Sequence, residues 1–361
     1  MAPTATPAPS RQRRRPTGPL VVLGGLLLVP SLAGTVMRLA PPSDDGTALL
    51  ASFIAYAAPG YALALVCWLT ALATLPRTRA PRRPATDEPT GGRRLLTVVA
   101  AATAVLLALH VAWLAPLFHA DDRPAGPDTF VLLSQNLRLG LADPDALTAL
   151  AARADVVVLA ETTPPALDAL SARGWGEQFP YQTGHERPTF PDTAVYSRFP
   201  LRSTDVVTET LRPARDGPAK VFAQRITTVE VPGVAEVRLM PVHPCNPYCG
   251  GGRWTSEHDA LRALARANLD QPLVVAGDFN AVDDHGPMLD LRHDGLRSAT
   301  DLTGAGWLPT YPAGGRLPPL LPIDHVLVSE RLTATAIETV RLAGTDHLGL
   351  LATLAAVTGP G

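Results

Sequence analysis

In the C-terminal two thirds of the chain, apolar runs repeatedly end on groups that can bind or move charge. Leu132-Leu133-Ser134-Gln135-Asn136 ends on an amide, and Val156-Val157-Val158-Leu159-Ala160-Glu161 on a carboxylate. Leu239-Met240-Pro241-Val242-His243 ends on an imidazole, and the run from Leu273 closes on Gly277-Asp278-Phe279-Asn280. Ile323-Asp324-His325 opens a run with a carboxylate, and Thr345-Asp346-His347 precedes the last one. Short apolar runs bounded by polar residues read as buried strands, so these termini would line the rim of a packed sheet. Oxygen ligands from Asn, Glu and Asp suit a hard cation, Mg²⁺ or Mn²⁺. Such a cation beside His and Asp is the equipment for phosphoryl transfer to water. The histidines are too scattered to argue for zinc. With no Gly-x-Ser-x-Gly elbow and no Walker loop, acyl hydrolase and nucleoside-triphosphatase readings lack support. Taken singly, Asn136 reads equally as a strand cap, Glu161 as a helix cap and Asp324 as a turn residue. The argument rests on six such termini together.

Strands are expected at Thr129–Gln135, Asp155–Ala160, Thr193–Ser197, Val221–Val231, Glu236–Val242, Pro272–Ala276, Ile323–Ser329 and Leu348–Leu354. Helices are expected at Pro144–Arg153, with Asp143 as N-cap, and at Trp254–Ala267. Many strands with a few covering helices suggest a layered α/β fold, sheet packed on sheet. The Pro-, Asp- and Gly-rich segment Asp121–Asp128 reads as a linker.

The order Asn136, Glu161, His243, Gly277-Asp278-Phe279-Asn280, Asp324 and Asp346-His347 resembles the endonuclease/exonuclease/phosphatase family, which includes deoxyribonucleases, apurinic endonucleases, neutral sphingomyelinases and inositol polyphosphate 5-phosphatases. The resemblance covers about Thr129 to Leu354. Weaker pieces are Ala194 to Leu201 and Thr310-Tyr311-Pro312; Asp192 and Thr193 stand where the family often has Gly. The resemblance implies a four-layer α/β sandwich of two packed mixed β-sheets covered by helices, with the site at one edge. It implies Glu161 as principal metal ligand, Asn136 as a holder of metal or phosphate, and Asp346 as a ligand, direct or through water. His347 would be a general base or a phosphate-binding imidazole oriented by Asp324. Asp278 would position or deprotonate the attacking water, and Asn280 and His243 would bind phosphoryl oxygens, with His243 a candidate acid for the leaving group.

The first 118 residues differ in character. Three apolar stretches, about Pro19–Ala40, Ala48–Leu75 and Leu95–Phe118, are long enough to cross a bilayer. They give a basic tail (1–18), a three-span transmembrane region (19–118), a linker (119–128) and a catalytic domain (129–356). Arg11, Arg13, Arg14 and Arg15 precede the first span, and Arg77, Arg79, Arg82, Arg83, Arg93 and Arg94 lie between the second and third. Asp44 and Asp45 occupy the remaining loop. The positive-inside rule then puts the N-terminus in the cytoplasm and everything after His119 outside the cell. A cleaved signal peptide is the rival reading of the first stretch. Arg38 could snorkel from its span end, and His110 is expected to face another helix rather than mark a proton path. Cys245 and Cys249 would form a local disulfide in an oxidising compartment; a metal pair or two free thiols are the alternatives.

From His119 onward there are 20 basic and 29 acidic residues, and a net acidic domain weighs against non-specific nucleic-acid binding. A local patch drawn from Arg187, Arg198, Arg202, Arg212, Arg215 and Arg253 would escape that count. The expected substrate is therefore a lipid-headgroup or small-molecule phosphoester, with a secreted-side nuclease or a non-catalytic membrane-binding protein of the same fold as alternatives. No protein partner is expected.

Overall fold

The computed structural model describes residues 17–42, 44–75, 90–121, 123–184, 192–212 and 220–358. The basic residues of the N-terminal tail, Arg77 to Arg83, Arg187 and Arg215 lie outside these. The described residues form two compact units. One draws on Met1–Val36 and Tyr56–Val111, the other on Met37–Ala55 and Ala112–Gly361.

The first unit is built from α1 (Thr17–Leu39) up to Val36, then α3 (Ala57–Thr74), which follows the short α2 (Asp45–Ala51), and α4 (Thr90–Leu114) up to Val111; the last residues of α1 and α4 belong to the second unit. Three stretches, Thr17–Leu39, Asp45–Thr74 and Gly92–Phe118, are long and apolar enough to cross a membrane. Small residues let these helices approach: a Cβ at Gly24 would run into the Trp68 ring. His110 is buried against two neighbouring helices, with Nε2 3.0 Å from Thr35 Oγ1 and its ring 5.3 Å from that of Tyr61. It faces other helices, as its lone position in an apolar run suggests.

The second unit contains both sheets. Strands β1 (Ala125–Asn136), β2 (Val156–Thr162), β3 (Tyr181–Thr183), β4 (Asp192–Ser197), β11 (Leu332–Val340) and β12 (Gly349–Val357) form one, in the order β11-β12-β1-β2-β4-β3. Strands β5 (Leu201–Arg212), β6 (Lys220–Val231), β7 (Ala235–Val242), β8 (Leu273–Asp278), β9 (Arg297–Ser298) and β10 (Asp324–Val328) form the other, in the order β5-β6-β7-β8-β10-β9. Both sheets are mixed: β1 runs parallel to β2 and β7 parallel to β8, while the remaining pairs are antiparallel. Phe130, Leu132, Val156 and Val158 of one sheet meet Val237, Leu239, Val274 and Val326 of the other in one buried cluster. The outer faces are covered too. Helices α5 (Pro144–Ala151), α6 (Pro164–Ser171) and α7 (Trp175–Gln178) bury Leu147, Leu170 and Trp175 against Leu133, Val157 and Leu159. On the opposite side, α8 (Arg253–Arg266) and α9 (Gly286–His293) cover Met240, Val242 and Val275, while α10 (Ala299–Thr303) follows β9. Four layers result. Strands buried on both faces read as continuous apolar runs, which is why Val156–Ala160 and Leu273–Ala276 show no alternation. Asp143 caps α5 as expected, its Oδ1 accepting from Asp145 N at 2.9 Å and Ala146 N at 3.0 Å.

Two departures from the sequence reading bear on the site. The segment read as a linker is held in place: Asp121 N donates to Leu302 O at 2.9 Å, and β1 already begins at Ala125, opposite Val357. The second apolar stretch is two helices, and the first of them, α2, belongs to the sheet-bearing unit. Ala48 is fully buried in the cluster holding Trp254, Phe279 and Met288. His285 Nδ1 accepts from Val282 N at 2.9 Å, so its Nε2 carries the proton and donates to Ala48 O at 2.8 Å. Gly252 N donates to Asp45 Oδ2 at 3.1 Å.

Candidate active site

The polar strand ends converge at one rim of the paired sheets. Parallel register sets Asn136 of β1 beside Ala160 of β2, next to Glu161, and antiparallel register sets Asp324 of β10 opposite Asp278 of β8. Gly277 precedes Asp278 at φ +150°, where a Cβ would collide with the Val242 carbonyl. Glycine at this position therefore lets β8 lie against β7 and brings Asp278 next to His243. Glu161 and Asn280 both adopt left-handed backbone, at φ +56° and +49°. Strain of this kind is held by surrounding contacts and clusters at functional sites.

Asn136 bridges two carboxylates. Its Nδ2 donates to Glu161 Oε1 at 3.2 Å and to Asp278 Oδ2 at 3.0 Å, while its Oδ1 accepts from Arg138 N at 2.8 Å. Glu161 Oε2 accepts from Leu139 N at 2.7 Å, in a turn where Arg138, Leu139 and Gly140 all have positive φ. Asp278 is buried, with Oδ1 accepting from Asn280 N at 2.8 Å. His243 Nε2 lies 3.5 Å from Glu161 Oε1 and 3.8 Å from Asp278 Oδ2. His347 Nδ1 donates to Asp324 Oδ2 at 2.8 Å, and its Nε2 is 3.7 Å from Asp278 Oδ2.

Burial alone would lower the His347 pKa, but the Asp324 carboxylate, then Asp278, push it up to about 10. The ring is an imidazolium at neutral pH. Asp278 moves up as well, by burial first and then by repulsion from Asp324, with His347 opposing. Asp324 Oδ1 is buried with no hydrogen-bond partner among the described residues.

Asn136, Glu161, His243, Asp278, Asp324 and His347 thus share one site. Asn280 adjoins it, but its Nδ2 donates to Pro244 O at 3.0 Å and fastens the segment after His243. Asp346 sits at the margin, about one third exposed and 3.7 Å from Arg138 Nε. Among the described residues, Asp278, Asp324 and His347 offer ligand atoms within 4.8 Å of one another. The donor set fits a hard cation: four carboxylates (Glu161, Asp278, Asp324, Asp346) outnumber His347 and Arg138 in charge, and one buried carboxylate oxygen lacks a donor.

Several supports escaped the strand-end pattern. Thr310 Oγ1 accepts from Asp324 N at 3.3 Å, and the Tyr311 ring lies 5.0 Å from that of His347. Thr345 Oγ1 donates to Asn136 O at 2.8 Å and so ties the last loop to β1. The Thr310-Tyr311-Pro312 piece signalled the first two; nothing local to Thr345 signals its role. Cys245 and Cys249 are disulfide-bonded directly after His243, and Cys245 N donates to Glu257 Oε2 at 2.6 Å. In the Ala194–Leu201 piece, Tyr196 packs in the outer core and Arg198 N donates to Asp155 O at 2.9 Å, a framework role.

No curated protein matches the chain. Among solved structures, a truncated Caenorhabditis elegans TDP2 is similar at 16% identity, covering 65% of this chain and 100% of that one with a TM-score of 0.49. A 3′ phosphatase NExo from Neisseria, bound to a product DNA hairpin, is 17% identical over 62% of this chain and 98% of its own, with a TM-score of 0.45. A Bacteroides thetaiotaomicron mannosyl-6-phosphatase is 14% identical over 63% and 99%, with a TM-score of 0.42. The Endonuclease/Exonuclease/phosphatase family matches residues 133–347, from the end of β1 to the terminal histidine. With two mixed sheets layered between helices, and with the polar strand ends in the family's order at one rim, the chain belongs to the endonuclease/exonuclease/phosphatase family.

Proposed function

We propose that this chain is a membrane-anchored phosphoester hydrolase that uses a bound divalent cation, Mg²⁺ or Mn²⁺, and works outside the cell. The observation that carries the reading is the convergence of Asn136, Glu161, His243, Asp278, Asp324 and His347 on one rim. Glu161 and Asn136 would hold the cation, with Asp346 direct or through water. The cation would offset charge on the phosphoryl oxygens.

The remaining work falls to side chains. Asp278, raised above the ordinary carboxylate range, is suited to take a proton from the attacking water. Its Oδ1 accepts from Asn280 N and its Oδ2 from Asn136 Nδ2, which fixes the carboxylate and leaves Oδ2 a second lone pair for the water. Water adds in line, its oxygen bonding to phosphorus as the bond to the leaving oxygen breaks. His347, charged and fixed by Asp324, is suited to bind the phosphate rather than to act as base, its Nε2 lying 3.7 Å from Asp278 Oδ2. His243, about one fifth exposed and 3.5 Å from Glu161 Oε1, would protonate the leaving oxygen. The Asn280 amide, tied to Pro244 O, keeps the His243 segment in register.

The acidic balance of the chain after residue 118 favours a lipid-headgroup or small phosphoester over nucleic acid. The full chain in detergent micelles with Mg²⁺ should cleave at least one of sphingomyelin, phosphoinositide, DNA and RNA, and His347→Ala should not. Cleavage of none, or a His347→Ala variant as active as wild type, would overturn the enzymatic reading. For topology, protease added to intact cells should digest the sheet-bearing unit; digestion only after lysis would refute an outside location.

A further inference from the structure

A separate cavity of about 240 Å³ lies in the sheet-bearing unit, and no residue assigned to the candidate active site lines it. Its walls include Trp113 and Trp307. Two guanidinium groups and three carboxylates also line it. Arg38 Nε donates to Asp284 Oδ1 at 2.7 Å, and its guanidinium sits 5.1 Å over the Trp113 ring. Arg292 pairs with Asp283 at 3.3 Å and with Asp301. Among the lining side chains the carboxylates outnumber the guanidiniums by one, and behind the lining His325 Nδ1 lies 3.9 Å from Asp283 Oδ1. Asp301 is 3% exposed, and while its Oδ2 accepts from Arg292, its Oδ1 is buried with no hydrogen-bond partner among the described residues. A buried carboxylate oxygen without a donor is costly, and the cost is relieved by a ligand that brings N–H groups. Burial pushes the Asp284 and Asp301 carboxyls up, with Arg38 and Arg292 opposing it.

We infer that this cavity binds a primary alkylammonium group, the chemistry carried by an ethanolamine phospholipid headgroup or by a free amine. The ammonium supplies the missing charge and the N–H donor for Asp301 Oδ1. The Trp307 indole supplies aromatic surface of the kind that attracts organic cations, as the Trp113 ring already does for the Arg38 guanidinium. A quaternary ammonium has no N–H to give Asp301, so it satisfies only the aromatic half of the site. Arg38 and Trp113 come from the last turns of two candidate membrane spans, residue types that favour the lipid–water interface. The inference does not depend on the hydrolase reading.

The test uses the full chain in detergent micelles, titrated with ethanolamine and with choline while tryptophan fluorescence is followed. Ethanolamine should saturate and bind at least tenfold more tightly than choline. Asp301→Asn, which keeps the shape and loses the charge, should weaken ethanolamine at least tenfold with the unfolding temperature unchanged. Should that variant unfold more readily, Trp307→Leu is read in its place against the same tenfold criterion. Reconstitution into nanodiscs of phosphatidylethanolamine or phosphatidylglycerol separates the sources. A higher unfolding temperature in the ethanolamine lipid, lost in the variant, assigns the site to a headgroup. Equal temperatures with retained ethanolamine binding assign it to a soluble amine. Absence of ethanolamine binding, choline binding as tightly, or unchanged affinity in a folded variant would overturn the inference.

Discussion

The His347–Asp324 pair makes stability depend on pH in a direction set by its geometry. The two groups are buried and 2.8 Å apart, and His347 is held as an imidazolium with its pKa raised to about 10. An unfolded histidine titrates near ~6.5. Because the folded value is the higher one, the pair stabilises fully below the unfolded value. That contribution is lost as pH rises through the folded value. At ~1.36 kcal/mol per tenfold change in proton affinity, the full effect is on the order of 4–5 kcal/mol. Asp278 supplies part of it, so Asp324→Asn should forfeit about 3 kcal/mol, in the range found when one partner of a buried pair is removed. For a unit of this size that is roughly 6–12 °C in unfolding temperature. The assay is thermal unfolding of the chelator-treated full chain in detergent, followed by the fluorescence of buried Trp175 and Trp254. Wild type should lose stability between pH 6.5 and 10, whereas Asp324→Asn should start lower and keep only the shallower slope that Asp278 supplies. A flat wild-type profile, or a variant with the wild-type slope, would refute the reasoning.

Other outcomes follow from the same contacts. Glu161→Gly should leave the unfolding temperature within roughly 3 °C, because released backbone strain of ~1–3 kcal/mol offsets the lost hydrogen bonds. The same change should lower phosphoester hydrolysis at least ~100-fold, and a rate near wild type would remove Glu161 from the site. Cys249→Ser opens the short loop after His243 and should cost about 2 kcal/mol in denaturant unfolding under non-reducing conditions. Deleting the first 118 residues removes α2, leaving His285 Nε2–H and Gly252 N–H without acceptors and Trp254 and Met288 without Ala48. At ~1–3 kcal/mol for each orphaned donor, the fragment should melt well below the full chain; coincident melting curves would show that α2 contributes nothing.

Much of this architecture was legible because it rests on local signals. Strands β2 and β8 are short apolar runs between polar residues, and α5 announces itself by Asp143 and Pro144. Strand β5 is two-thirds polar, with Asp205 and Glu209 in its middle, and β11 is built on Thr and small Ala residues; neither carries a strong apolar pattern. Helix α2 merged with the span that follows it because composition is apolar across the break at Ser52; only packing on Trp254 and His285 separates them. In the site, residue types at strand ends pointed to side chains that the fold brings to one rim, but their contacts depend on pairings distant in sequence. Nothing near Asn136 tells that its amide spans Glu161 and Asp278, or near Asn280 that its amide is tied to Pro244 O. The Arg38–Asp284 pair joins positions 246 apart and has no sequence signature at all.

The central claim is that the rim around Asp278 hydrolyses phosphoesters with a divalent cation. Its most direct test is the cleavage rate of a chromogenic phosphodiester by the full chain in micelles, measured with Mg²⁺, with chelator, and for Asp278→Asn. The account predicts turnover with Mg²⁺, none above background with chelator, and a loss of at least ~100-fold in the variant. Turnover that survives chelation, or an Asp278→Asn variant as fast as wild type, would contradict it.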